Sequence, residues 1–92
     1  MPSITEILTS YLHDTGLDIP ILQDKLIALW PTVMGPQVAR LTSALEIRDG
    51  VLYVHIRSAA LRSELFQCRF QLVQRLNDAV HAQVIRDIRL LA

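Results

Sequence analysis

Tyr53 shares one face of the expected sheet with Arg48, His55, Arg57 and Arg89. An aromatic ring among arginines on a sheet can stack bases and hold phosphates. The same composition also fits a solvated face on which Glu46 or Asp87 pairs with an arginine across the strands. Phe66, Phe70 and Val73 recur at helical spacing as a second apolar stripe. Such a stripe is either a partner surface or the wide apolar arc of a helix held between a sheet and two other helices. Trp30, next to Pro31, reads as a core anchor or as a further partner contact.

No group of residues is spaced for catalysis. His13, His55 and His81 fall on separate elements, and no Cys/His spacing matches a zinc site. Cys68 is the single cysteine and sits on the core stripe of a helix, where a thiol is buried and inert. Gly16, Gly35 and Gly50 are the only glycines, and each has a backbone role, so no phosphate loop exists. The acids stand singly. Neither a metal nor a cofactor is expected, and the chain reads as a binding protein rather than an enzyme.

The elements that position these residues follow from periodicity and punctuation. Ser3-Ile4-Thr5-Glu6 is a capping box, and Ile4, Ile7, Leu8, Tyr11 and Leu12 give helical spacing as far as a Gly16 cap, so a helix is predicted within 1–17. Asp18 and Pro20 open a second helical part over 18–41, with Ile21, Leu22, Leu26, Leu29 and Trp30 on its apolar face. Pro31 is expected to kink or end it, and Gly35-Pro36 to break it and open a short helix.

Alternation then begins. Asp49-Gly50 between alternating segments predicts a β-hairpin over 43–57, with Leu45, Ile47, Leu52, Val54 and Ile56 on one face. Glu46, Arg48, Tyr53, His55 and Arg57 fall on the other. Ser58 caps a long helix predicted over 58–82, with Leu61, Leu65, Cys68, Leu72, Leu76 and Ala79 as its core stripe. A strand over 84–91 follows, Ile88 and Leu90 inward, Asp87 and Arg89 outward.

The resulting order is α-α-β-β-α-β, an α+β fold with a three-stranded mixed sheet and the helices packed on one face. The last strand is expected parallel to the second and paired beside the first.

The bulk numbers set outer limits. Ninety-two residues make one domain, and a domain of that size buries only about 60–65% of its unfolded surface. Half of the residues are hydrophobic (51%), enough to fill a thin core. The start lacks the basic and apolar regions of a signal peptide, and no apolar run reaches membrane-spanning length, so a cytoplasmic protein is expected. The net charge is zero, which argues against strong non-specific nucleic-acid binding. Its distribution is uneven: residues 1–35 hold four acids and one base, net −3, and residues 36–92 hold eight arginines and five acids, net +3.

Trp30-Pro31-Thr32-Val33-Met34-Gly35, then Val38-Ala39, Thr42 and Asp49-Gly50-Val51-Leu52-Tyr53-Val54, resemble the DciA family. Ser58, Leu61, Leu65, Asn77 and Val84-Ile85 continue the pattern, so the likeness covers roughly residues 21–90. It implies a K-homology-like domain of bacterial origin, in a family whose members operate or load the replicative helicase and bind DNA. Two departures count against DNA. Helicase-associated members add a long basic tail, whereas this chain stops at Ala92, and there is no Gly-x-x-Gly loop to clamp phosphates.

The expected function is therefore a replication accessory that contacts the replicative helicase or another replication protein, and single-stranded DNA only weakly. The alternative is a protein-interaction or homodimerising module with no nucleic-acid role. No membrane partner is expected.

Overall fold

Val51–Ile56 is apolar at four of its six positions and is the most deeply buried strand. A strand of that kind belongs in the middle of a sheet, where both edges are paired. A computed structural model describes residues 18–92, and there the segment is the central strand of three. The helix expected within 1–17, with its capping box and His13, lies outside the described residues.

The described elements run α1 (Asp18–Met34), α2 (Pro36–Leu41), β1 (Thr42–Arg48), β2 (Val51–Ile56), α3 (Ala59–Gln67), α4 (Arg69–Val80) and β3 (Asp87–Leu91). β1 and β2 are antiparallel; β2 and β3 are parallel. Leu45 faces Val54 and Ile47 faces Leu52, while Leu52 and Val54 neighbour Ile88 and Leu90. These side chains share one face. They meet Leu26 and Trp30 of α1, Leu65 of α3, and Leu72, Leu76 and Val80 of α4 in a single core. The mixed α+β fold expected from the periodicity is the one observed.

The hairpin turn is Asp49-Gly50, with φ of 53° and 76°. Two successive left-handed residues match the twist of the flanking strands, and Asp-Gly supplies them at low cost. Gly50 O also accepts from the Arg86 N–H at 2.7 Å, which ties the turn to the start of β3. The N-terminus of α3 is capped as expected: Ser58 Oγ accepts from the Leu61 N–H at 3.2 Å.

Four expectations need correction. α1 does not end at Pro31 but runs on to Met34, and its last turn closes through the Gly35 N–H to Pro31 O at 2.9 Å. Proline removes one helical hydrogen bond, but burying Trp30 and packing Val33 and Met34 on the core outweigh that loss. Gly35, at φ 90°, then turns the chain into α2, which Pro36 opens.

The single helix predicted over 58–82 is two helices. Cys68, at φ −110° and ψ 22°, leaves the helical region between them, and its Sγ lies 3.4 Å from Glu64 O and 3.6 Å from Leu65 O. No glycine or proline marks the break. The seven-residue spacing from Leu65 to Leu72 keeps both on the core whether the helix is continuous or broken.

β3 pairs beside β2, not beside β1. Placed next to β1 it would have left the apolar β2 at an edge. Instead the edge falls to β1, whose Thr42, Ser43, Glu46 and Arg48 tolerate water and whose start carries a bulge between Thr42 and Ala44.

β3 also starts three residues later than expected, at Asp87. The segment before it is held by Asn77, the one buried polar residue among the described residues. Asn77 Oδ1 accepts from Val84 N–H (2.9 Å) and Ile85 N–H (3.0 Å), and its Nδ2 donates to Ile85 O (2.8 Å). Those backbone groups therefore bond to a side chain rather than to a strand.

Replacing Asn77 by alanine strands the buried N–H and carbonyl of Ile85, at about 1–3 kcal/mol each where water cannot reach them, while the Val84 N–H keeps Ala82 O as an acceptor at 3.1 Å. Asn77→Ala is expected to lower the unfolding free energy by about 3 kcal/mol in a urea titration followed by circular dichroism.

Candidate binding surfaces

The sheet face turned away from α1–α4 is built from alternate residues of the three strands. Glu46 lies opposite Tyr53, and Tyr53 neighbours Arg89; Ala44 lies opposite His55, and His55 neighbours Leu91. The structure thus brings Arg48, Tyr53, His55 and Arg89 onto one face. Arg57 follows the end of β2.

Their partners decide what this face can do. Arg48 Nε lies 3.1 Å from Glu46 Oε1, and its guanidinium covers the Tyr53 ring at 4.5 Å. Arg89 Nε lies 3.8 Å from Asp87 Oδ2. His55 Nδ1 lies 3.1 Å from Ala92 O. Both arginines are thereby matched by acids, and one side of the tyrosine ring is already stacked. The face carries charge pairs along single strands, Glu46 with Arg48 in β1 and Asp87 with Arg89 in β3, not the cross-strand pairs the composition suggested, and it forms no positive groove.

The second candidate surface lies at the junction of α3 and α4. Phe66 and Phe70 are 54% and 67% exposed, a large apolar area to leave in water. Between them is Arg69, which the sequence reading did not single out. Its guanidinium sits 4.2 Å from the Phe66 ring centre and 4.6 Å from that of Phe70. Arg69 Nη1 also donates to Phe66 O at 3.3 Å, and Nε lies 3.8 Å from Asp87 Oδ1. The helix break at Cys68 and the start of β3 both contribute to this cluster. Neither is visible in helical periodicity, so only the folded chain shows it.

The other two partner candidates do not join this patch. Val73 is half-buried against the core. Trp30 is 1% exposed, and its Nε1–H donates to Thr42 Oγ1 at 3.0 Å, while the Thr42 hydroxyl donates to Val38 O at 2.8 Å. The ring anchors α1 and α2 to the first residue of β1 and offers no surface to a partner.

Among the described residues no three His, Cys, Asp or Glu side chains are grouped to hold a metal ion. No helix among them is long and apolar enough to cross a membrane.

The family model described as "Dna[CI] antecedent, DciA" matches residues 3–90. This chain belongs to the DciA family. The match spans nearly the whole sequence and confirms the resemblance carried by Trp30–Gly35, the Asp49-Gly50 hairpin and Asn77. The DciA family is linked to helicase loading in DNA replication and is an accessory family rather than a catalytic one. Its association with the replicative helicase makes a replication protein the partner in general terms. No curated protein matches the chain.

The buried position of Trp30 has a measurable consequence. Trp30→Phe keeps most of the apolar bulk but leaves Thr42 Oγ1 without its donor. The expected result is a stability loss of about 1–2 kcal/mol by urea unfolding, with partner affinity unchanged under conditions where the variant is folded.

Proposed function

We propose that this DciA-family chain is a non-enzymatic accessory of DNA replication that docks on the replicative helicase through Phe66, Arg69 and Phe70. The observation that carries the reading is the exposure of two phenylalanines on either side of one guanidinium. Interface hot spots favour aromatic and arginine side chains, the rings because they bring large apolar area with few rotors and arginine because its planar guanidinium both stacks and donates several hydrogen bonds. Here Arg69 is already aligned by stacking on both rings and by Asp87, so little side-chain freedom is left to lose on binding. The family's link to the helicase supplies the partner.

The sheet face is the weaker surface for single-stranded DNA, because Arg48 and Arg89 each lie beside an acid. A second reading has the same support in exposed area: a second copy of the chain could cover Phe66 and Phe70.

Both readings are tested together. The purified chain and the replicative helicase from the same source are expected to bind measurably by biolayer interferometry. Phe66→Ala with Phe70→Ala should weaken that binding at least tenfold, or about 1.4 kcal/mol, with the circular dichroism spectrum unchanged. Equal binding by wild type and double variant would refute the Phe66–Phe70 site. A wild-type dimer in light scattering that the double variant turns into a monomer would favour self-association instead.

A further inference from the structure

β1 is an open edge. Among the described residues β2 pairs along one side of it and no strand along the other. Arg48 and Val51 close the two-residue turn and so form a hydrogen-bonded pair. The alternation of an antiparallel ladder then directs the backbone of Glu46 toward β2 as well, and that of Leu45 and Ile47 outward. The Asp49 N–H also points outward, because a trans peptide sets it opposite the Arg48 carbonyl that closes the turn.

The bulge between Thr42 and Ala44 blunts only the start of this edge; Ala44 to Arg48 pairs regularly with β2. Leu45 and Ile47 are half-buried, whereas Leu52, Val54 and Ile88, on the same face of the other two strands, are buried. The edge thus offers hydrogen-bonding groups and apolar area together.

We propose that the outer edge of β1 binds the same edge of a second copy of the chain, antiparallel, with Ile47 on the two-fold axis. The charges select both the occupant and the register. With Ile47 opposite its counterpart, Glu46 lies opposite the second copy's Arg48, and Arg48 opposite its Glu46. These are non-hydrogen-bonded positions, where side chains come closest. Across the axis each Ile47 N–H meets the other Ile47 carbonyl, and each Asp49 N–H meets the other Leu45 carbonyl.

Other registers fail. Sliding one copy by one pair sets Glu46 against Glu46 in one direction and Arg48 against Arg48 in the other. A further slide runs into the bulge or into the turn. Glu46 and Arg48 are exposed and lie 3.1 Å apart within one chain. Across the axis the same charges make a ring of alternating sign. A strand edge paired with itself closes at two copies, so no edge is left to extend on that side. The two three-stranded sheets become one, with both open faces on the same side. β2 and β3 separate this edge from Asp87 and Arg69, and the inference does not depend on the helicase contact.

The test is sedimentation velocity of the full chain over a concentration series, with backbone amide exchange measured in parallel. Wild type should show a monomer–dimer equilibrium. Its Ile47 and Asp49 amides, which face outward in the monomer, should exchange more slowly as concentration rises. Glu46→Arg and Arg48→Glu should each weaken the dimer at least about tenfold with the circular dichroism spectrum unchanged, because each sets like charges opposite. An equimolar mixture of the two variants should associate again, since every pair across the axis then joins an arginine to a glutamate. Phe66→Ala with Phe70→Ala should leave the dimer as it is.

The inference is overturned if wild type stays monomeric throughout the series, if either charge variant dimerises like wild type, or if their mixture fails to associate. Loss of the dimer in the Phe66/Phe70 variant would move self-association to the aromatic patch and overturn it as well. The exchange measurement needs no variant: an Ile47 amide equally slow at every concentration would mean that the edge is covered within one chain, against the inference.

Discussion

The carboxamide of Asn77 sets the geometry on which the rest of the structure depends. It is buried, and it bonds to both Val84 and Ile85 on the chain that returns from α4 to the sheet. That hold fixes where β3 can begin. Arg86 then bonds to the hairpin turn, and Asp87 comes level with Val51. In that register Asp87 lies beside Arg69 on α4, which in turn lies between Phe66 and Phe70. A buried amide on α4, acting through the start of β3, thus helps to order an exposed aromatic patch at the other end of the same helix.

The same arrangement separates the surface into parts with different chemistry. The open sheet face pairs its arginines with acids and offers a solvated surface. The α3–α4 junction exposes aromatic rings around one aligned cation. A small domain has few places to put a binding site, because most of its apolar residues are needed for one thin core. Exposing Phe66 and Phe70 is the more informative for that reason.

Much of the fold was legible in the sequence because its signals are local. Asp49-Gly50 marks a two-residue turn, Ser58 marks a helix start, and the alternation of Leu45, Ile47, Leu52, Val54 and Ile56 marks a buried face. What was not legible depends on contacts between distant segments. The break at Cys68 has no breaker residue. The passage of α1 through Pro31 depends on the burial of Trp30. The place of β3 beside β2 depends on which strand most needs two neighbours, and the late start of β3 depends on Asn77. The binding surfaces divide in the same way. Tyr53, Arg48, His55 and Arg89 share a face as their alternation implies, but the acids two residues before each arginine on the same strand change its character. Arg69 was invisible as a site residue because it acquires its surroundings only when separate elements meet.

The central claim is that this DciA-family chain meets its protein partner at the α3–α4 junction. It is tested most directly by backbone amide spectra of the ¹⁵N-labelled chain with and without the replicative helicase. The account predicts that signals of residues 66–70, and of Asp87 through its link to Arg69, shift or broaden first. Changes confined to the open sheet face around Glu46, Tyr53 and Arg89, with residues 66–70 unaffected, would contradict it.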